Sequence, residues 1–171
     1  MSTVVVTGVD AFNAMSRDEA IALLRPCVDV DRWCAELADA RPFASAELLL
    51  AAAELAASPF EADEIERALA HHPRIGDRAA GTHTEARLSR AEQAGVDRPD
   101  AAVSAALLEG NLAYERRFGR VFLIRAAGRS AGEILAALDE RLGNTDEQEA
   151  PIVADQLRQI AVLRLKGIVA P

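Results

Sequence analysis

The chain sets a serine three residues ahead of a glutamate at Ser16 and Glu19, at Ser89 and Glu92, and at Ser130 and Glu133. This is the capping-box pattern. The serine hydroxyl takes an N–H of the first helical turn, and the glutamate reaches back to the serine's own N–H. A chain that repeats this start signal and fills the intervals with alanine and leucine, the strongest helix formers, leans to a helical fold. Aromatic residues are only 4% of it, so its core must be built from small and aliphatic side chains.

The stops and apolar spacings agree. A first helix is predicted from Ser16 to about Arg25, ended by Pro26. A second begins near Asp31, with Trp33 and Leu37 four apart on one face, and ends at Arg41-Pro42. Trp33 reads as a core or interface anchor. Ser45 caps a third, whose stripe is Leu48, Leu49, Ala52, Leu55 and Ala56. Ser58-Pro59 reads as the cap and first residue of a fourth. That helix carries Ile65 and Leu69 inward, runs into His71 and is stopped at His72 by Pro73. Residues 74–83 read as a loop, and helix resumes near Ser89. A long helix follows from about Asp100 to Arg117, with Val103, Leu107, Leu108 and Leu112 apolar and Phe118-Gly119 as its close. Ser130 opens another, through Ile134, Leu135, Leu138 and Leu142, and Gly143 ends it. The last carries Ile152, Val153, Leu157, Ile160, Leu163 and Leu165, with Pro151 in its first turn or at a kink. Val4-Val5-Val6 reads as extended. Val121 to Ile124 reads as a strand or a buried extended segment. One lone strand makes no sheet, so the expectation is all-α. No linker or repeat divides the 171 residues, and a single compact helical domain over 1–171 is expected.

The formal charge of −8 argues against nucleic acid as a partner, because a phosphate backbone would repel it. No apolar run approaches membrane-spanning length. The N-terminal stretch lacks the basic start and long apolar segment of a signal peptide, so a cytoplasmic protein is expected. Cys27 and Cys34 show no metal-ligand spacing with histidine and read as two small, partly buried side chains.

All three histidines fall between His71 and His83. His72 stands at a predicted helix C-terminus, held by a stiff proline. It reads equally as an acid/base group or as a helix-capping histidine. His71 and His83 read as surface groups. Ser89 and Glu92 form a capping box, and that helix start also offers N–H groups to an anion. Asn111, Tyr114, Arg116, Arg117 and Arg120 crowd one region, which reads as a polar helix face. Arg141 and Arg164 sit in apolar helices, where a guanidinium needs a partner. Arg164, between Leu163 and Leu165, has the fork geometry for a substrate carboxylate.

At these residues the chain resembles the 2-oxo-4-hydroxy-4-carboxy-5-ureidoimidazoline (OHCU) decarboxylases of the bacterial type. HPRIG from His72 to Gly76, SRAEQAG from Ser89 to Gly95 and NLAYERRFGRVFLIRAAGRS from Asn111 to Ser130 carry the likeness. So do ILAALDERLGN from Ile134 to Asn144, QIAVLRL from Gln159 to Leu165, and WCAELADARPF from Trp33 to Phe43. The resemblance implies the family's all-helical fold, a homodimer, no metal and no organic cofactor. It implies the last step of urate breakdown, decarboxylation of OHCU to (S)-allantoin. It places His72 as catalytic acid/base, with Glu92 beside it in the catalytic set. Pro73, Ser89, Glu92 and Gln93 would line the pocket. Backbone groups of Ile124, Arg125, Ala126, Ala127 and Gly128 would hold the substrate, as would Arg164. The rival reading is a non-catalytic helical module that binds a purine-like ligand.

The substrate explains these residue types. One ring carbon carries both a carboxylate and a hydroxyl, and the neighbouring carbon carries the ureido group. Electrons left by departing carbon dioxide pass into the adjacent ring C=N, so no pyridoxal or thiamine is needed. The protein must orient the carboxylate, handle the hydroxyl proton and protonate one face of the neighbouring carbon.

Overall fold

The structure, a computed structural model, describes residues 8–70, 72 and 100–169. Among them are eight helices and no strand. They run α1 Val9–Ala14, α2 Arg17–Leu24, α3 Asp31–Asp39, α4 Ala46–Ala56, α5 Ala62–Leu69, α6 Ala101–Phe118, α7 Ala131–Leu142 and α8 Asp146–Val169. The all-α expectation holds. The chain falls into two compact units, residues 1–68 with 158–171, and residues 69–157. None of the helices is long and apolar enough to cross a membrane. Val4-Val5-Val6 lies outside the described residues, as do the 74–83 loop and the helix expected near Ser89.

In the first unit the Ser16 capping box is complete. Glu19 N–H donates to Ser16 Oγ, and Ser16 N–H donates to Glu19 Oε2 at 2.8 Å. α1 has no such signal and is not predicted by the pattern. Its Phe12 is fully buried, and the Asn13 carboxamide exchanges two 2.8 Å hydrogen bonds with the Phe43 backbone. Trp33 is a core residue, fully buried, with its indole N–H on the Ala53 carbonyl at 2.9 Å. Arg32 forks onto Glu64 through Nε and Nη2 at 2.9 and 3.0 Å, and its Nη1 donates to the Ala56 carbonyl, tying α3 to α5 and to the end of α4. Cys27 and Cys34 form no disulfide with each other and are fully buried, and burial pushes Cys34 up to about 11.

Several boundaries and stripes differ from the expectation. Ser58-Pro59 does not open a helix. The Ser58 hydroxyl donates back to the Glu54 carbonyl at 2.7 Å and so finishes α4. α5 begins at Ala62 instead, behind a Glu61 N–H held by Glu64. It also stops at Leu69, short of His71. On α4 the inward residues are Leu49 and Ala53, whereas Leu48 and Leu55 are 55% and 78% exposed. On α6, Leu107 is joined by Gly110, Asn111 and Tyr114 on the buried side, while Leu108 faces water. Gly110 allows this closeness, since a Cβ there would lie 2.5 Å from Leu138 Cδ2.

Candidate functional site

The second unit contains the stretch that the helical pattern does not explain. α6 starts on Asp100, whose carboxylate accepts the Val103 N–H at 2.8 Å. It ends on Gly119 at φ 71°, a left-handed cap that glycine adopts without a Cβ penalty. Residues 120–126 are then neither helix nor paired strand. A turn closes the segment. Arg129 N–H reaches the Ala126 carbonyl at 3.1 Å, with Gly128 at φ 80°, as a type II turn requires at its third position. Ser130 then caps α7 through the Glu133 N–H.

Apolar burial holds this segment from within. Phe122, Ile124 and Ala126 pack with Leu107, Tyr114, Ala131, Ile134 and Leu138 in one core. The Phe122 ring meets Tyr114 edge-on at 5.2 Å, and the Phe118 ring lies tilted against Tyr114 at 4.5 Å. Such pairs add about 0.5–1.5 kcal/mol beyond area burial.

Side chains make the hydrogen bonds that a neighbouring strand would otherwise make. Arg141 Nη1 donates to the Leu123 carbonyl at 2.7 Å. Gln156 Oε1 accepts the Arg125 N–H at 2.9 Å. Arg129 Nε donates to the Arg125 carbonyl at 2.9 Å. Among the described residues the N–H groups of Ile124 and Ala126 donate no hydrogen bond.

Arg141 is itself anchored. Its Nε donates to Glu149 Oε1 at 2.7 Å, and Nη2 pairs with the same oxygen. The guanidinium lies 4.6 Å over the Phe122 ring and 5.8 Å over the Tyr114 ring. Glu149, with no exposed surface, also accepts from Tyr114 Oη at 2.7 Å and from Asn144 Nδ2 at 3.0 Å. Burial alone would push the Glu149 carboxyl up, but the bonds from Arg141, Tyr114 and Asn144 outweigh it and hold the carboxyl below its usual range. Tyr114 is pushed up to about 12, first by burial and then by Glu149.

The sequence reading misses Glu149 and Gln156. Two signals are present for Glu149. Thr145 and Gln148 form a further capping box, with bonds of 2.9 and 3.2 Å, so α8 starts just ahead of it. Glu149 also heads a buried stripe on that helix with Val153, Leu157, Ile160, Arg164 and Ile168. Leu163, expected in the stripe, is 38% exposed.

His72 is half-buried just beyond α5, and its N–H donates to the Leu69 carbonyl at 3.1 Å. Arg164 is buried in the first unit and donates from Nη1 to the Pro26 carbonyl at 3.1 Å. Ile124 and Ala126 are buried, Arg125 and Ala127 half-buried, and Gly128 exposed. Pro73, Ser89, Glu92 and Gln93 lie outside the described residues, as do His71 and His83. Asn111 and Tyr114 are buried, whereas Arg116 and Arg117 face water, so the expected polar face is only partly polar.

The sequence matches the family model described as OHCU decarboxylase over residues 13–166. It is 28% identical over 142 residues to a uric acid degradation bifunctional protein of Arabidopsis thaliana, covering 81% of this chain and 44% of that protein. It is 36% identical over 100 residues to a 2-oxo-4-hydroxy-4-carboxy-5-ureidoimidazoline decarboxylase of Amia calva, covering 57% of each. The chain thus spans about half the length of these curated relatives. Among solved structures it superposes on OHCU decarboxylase crystallised in the presence of (S)-allantoin, with a TM-score of 0.67 and 23% identity, covering 92% of this chain and 100% of that one. At that identity the likeness establishes the fold.

Proposed function

The chain belongs to the OHCU decarboxylase family, and from that premise we propose that it decarboxylates OHCU to (S)-allantoin, the last step of urate oxidation to allantoin. The observation that carries the reading is a family match that runs through nearly all of the chain, from residue 13 to residue 166. The Ile124–Gly128 segment fits it, with N–H groups of Ile124 and Ala126 unclaimed among the described residues.

In this reading His72 handles the proton near the hydroxyl and carboxylate, and Glu92 acts with it. Glu92 and Gln93 hold the ureido and ring N–H groups, and Ser89 and Pro73 complete the lining. Arg164 takes an anionic oxygen. The backbone of Ile124, Arg125, Ala126, Ala127 and Gly128 clamps the ring where water is displaced, so its dipoles need no rearrangement as charge develops. The chemistry needs neither metal nor organic cofactor, and activity is expected to survive dialysis against a chelator. We further propose that residues 1–171 act as one domain, that the protein is a homodimer and that it works in the cytoplasm.

The test generates OHCU in situ from urate and follows circular dichroism. The expected result is the build-up of one allantoin enantiomer far faster than spontaneous decay. Decay at the spontaneous rate into racemic allantoin overturns the proposal, and if OHCU still binds it leaves the module that holds a purine-like ligand.

A further inference from the structure

We propose that Gln156 is a positioning residue for the substrate, with Arg141 as its counterpart on the same segment. Its carboxamide oxygen fixes the Arg125 amide, and through it the direction in which the neighbouring Ile124 and Ala126 N–H groups meet the ligand. The proposal rests on the reading that the Ile124–Gly128 backbone clamps the ring.

In a sheet, a backbone that presents N–H groups along one edge is held by a strand on its other edge. Among the described residues no strand pairs with 120–126. Two contacts from neighbouring helices take the strand's place, one on each side of Ile124. On one side Arg141 of α7 holds the Leu123 carbonyl at 2.7 Å. On the other, Gln156 of α8 holds the Arg125 N–H at 2.9 Å. Ile124 is the residue between them, and its peptide planes are shared with both. Rotation of the Arg125 peptide plane would swing the Ile124 carbonyl and, through the torsions at Ile124 and Arg125, turn the two flanking peptides that carry the Ile124 and Ala126 N–H groups. The partner is an N–H, which requires an acceptor, so the carboxamide oxygen and not its nitrogen must face it.

Arg141 is a poor residue to test. Its removal leaves the Glu149 carboxylate buried without its cation and threatens the fold. Gln156 carries no charge and is only half-buried, so it can be changed without stranding a partner charge.

The experiment compares wild type, Gln156→Leu and Gln156→Glu. Leucine keeps the bulk and removes the acceptor, and glutamate keeps an acceptor oxygen. Gln156→Leu is expected to raise KM for OHCU about tenfold, the size of one lost hydrogen bond, with kcat and Tm little changed. Gln156→Glu is expected to restore KM to near the wild-type value. Hydrogen exchange at the Arg125 amide, read without substrate, is expected to speed up in Gln156→Leu alone. Wild-type KM in folded Gln156→Leu, or an Arg125 amide that exchanges as slowly as in wild type, overturns the proposal. A fall in Tm that accompanies the KM change and is not rescued by glutamate overturns it in favour of a scaffold role. If the wild-type chain itself leaves OHCU to decay spontaneously, the clamp reading fails first and the positioning role falls with it.

Discussion

Glu149 keeps its charge without touching water because three hydrogen-bond donors, Arg141 Nε, Tyr114 Oη and Asn144 Nδ2, surround it and Arg141 Nη2 adds an ion pair. Glu149→Gln removes the charge and leaves Arg141 buried without its anion. The expected loss is about 3–5 kcal/mol of stability, measured by urea unfolding near neutral pH. The pH dependence has a definite sign. The Glu149 carboxyl lies below its ordinary 4.5, so the unfolded chain takes up the proton more readily. Its contribution is complete above that value and is lost as pH falls through the folded-state pKa. Tyr114 acts in the opposite range, its contribution complete below 10.0 and lost as pH rises towards about 12. The acid side of the stability profile should therefore flatten in Glu149→Gln, and an unchanged acid limb would refute this account. His72 differs in kind, because its role is proposed in turnover and not in the fold. His72→Asn keeps polarity and size but does not titrate. It should lower kcat at least about a hundredfold while the protein stays folded. His71→Asn and His83→Asn should be nearly silent, and equal losses in all three would remove the reason for singling out His72.

Helix starts are readable in this chain because a capping box is written in adjacent residues, and Ser16, Ser45 and Ser130 each cap the helix that the sequence assigns to them. Inward faces are harder to read where alanine and leucine occur all round the helix. On α4 that density hides the choice of Leu49 and Ala53 over Leu48 and Leu55. Arg141 signals a need for a partner by standing among apolar residues, but Glu149 comes from the following helix, behind a run of equally acidic neighbours. Of the candidate site, the non-helical character of Val121–Ile124 is legible from its apolar run, yet the side chains that hold it are not. Gln156 sits in an otherwise ordinary helical stretch, and only the tertiary contact marks it. Gly119 is the element-scale feature with the simplest test. At φ 71° with open space around it, a substituted side chain meets backbone strain and no clash. Gly119→Ala should cost about 1–2 kcal/mol and Gly119→Asn less, read from urea midpoints. A silent Gly119→Ala would mean that α6 can end without its left-handed cap.

At the scale of the whole molecule, the proposed single domain predicts one unfolding transition. The boundary between the two compact units falls inside α8, between Leu157 and Arg158. Melting either unit therefore frays a helix that the other also uses. Scanning calorimetry should give one endotherm whose calorimetric and van't Hoff enthalpies agree, and two resolved transitions would refute one domain. The same division bears on how the protein is made. The first unit combines residues 1–68 with residues 158–171, so its two parts leave the ribosome at different times. At about 5–20 residues per second, the second part follows the first after roughly 5–20 s. Until then Ile160, Leu165 and Ile168 are not there to complete the burial around them, and the nascent chain must carry part of its apolar surface uncovered. The helices translated first are the last to be enclosed, and during that interval they are the stretch that a chaperone would hold.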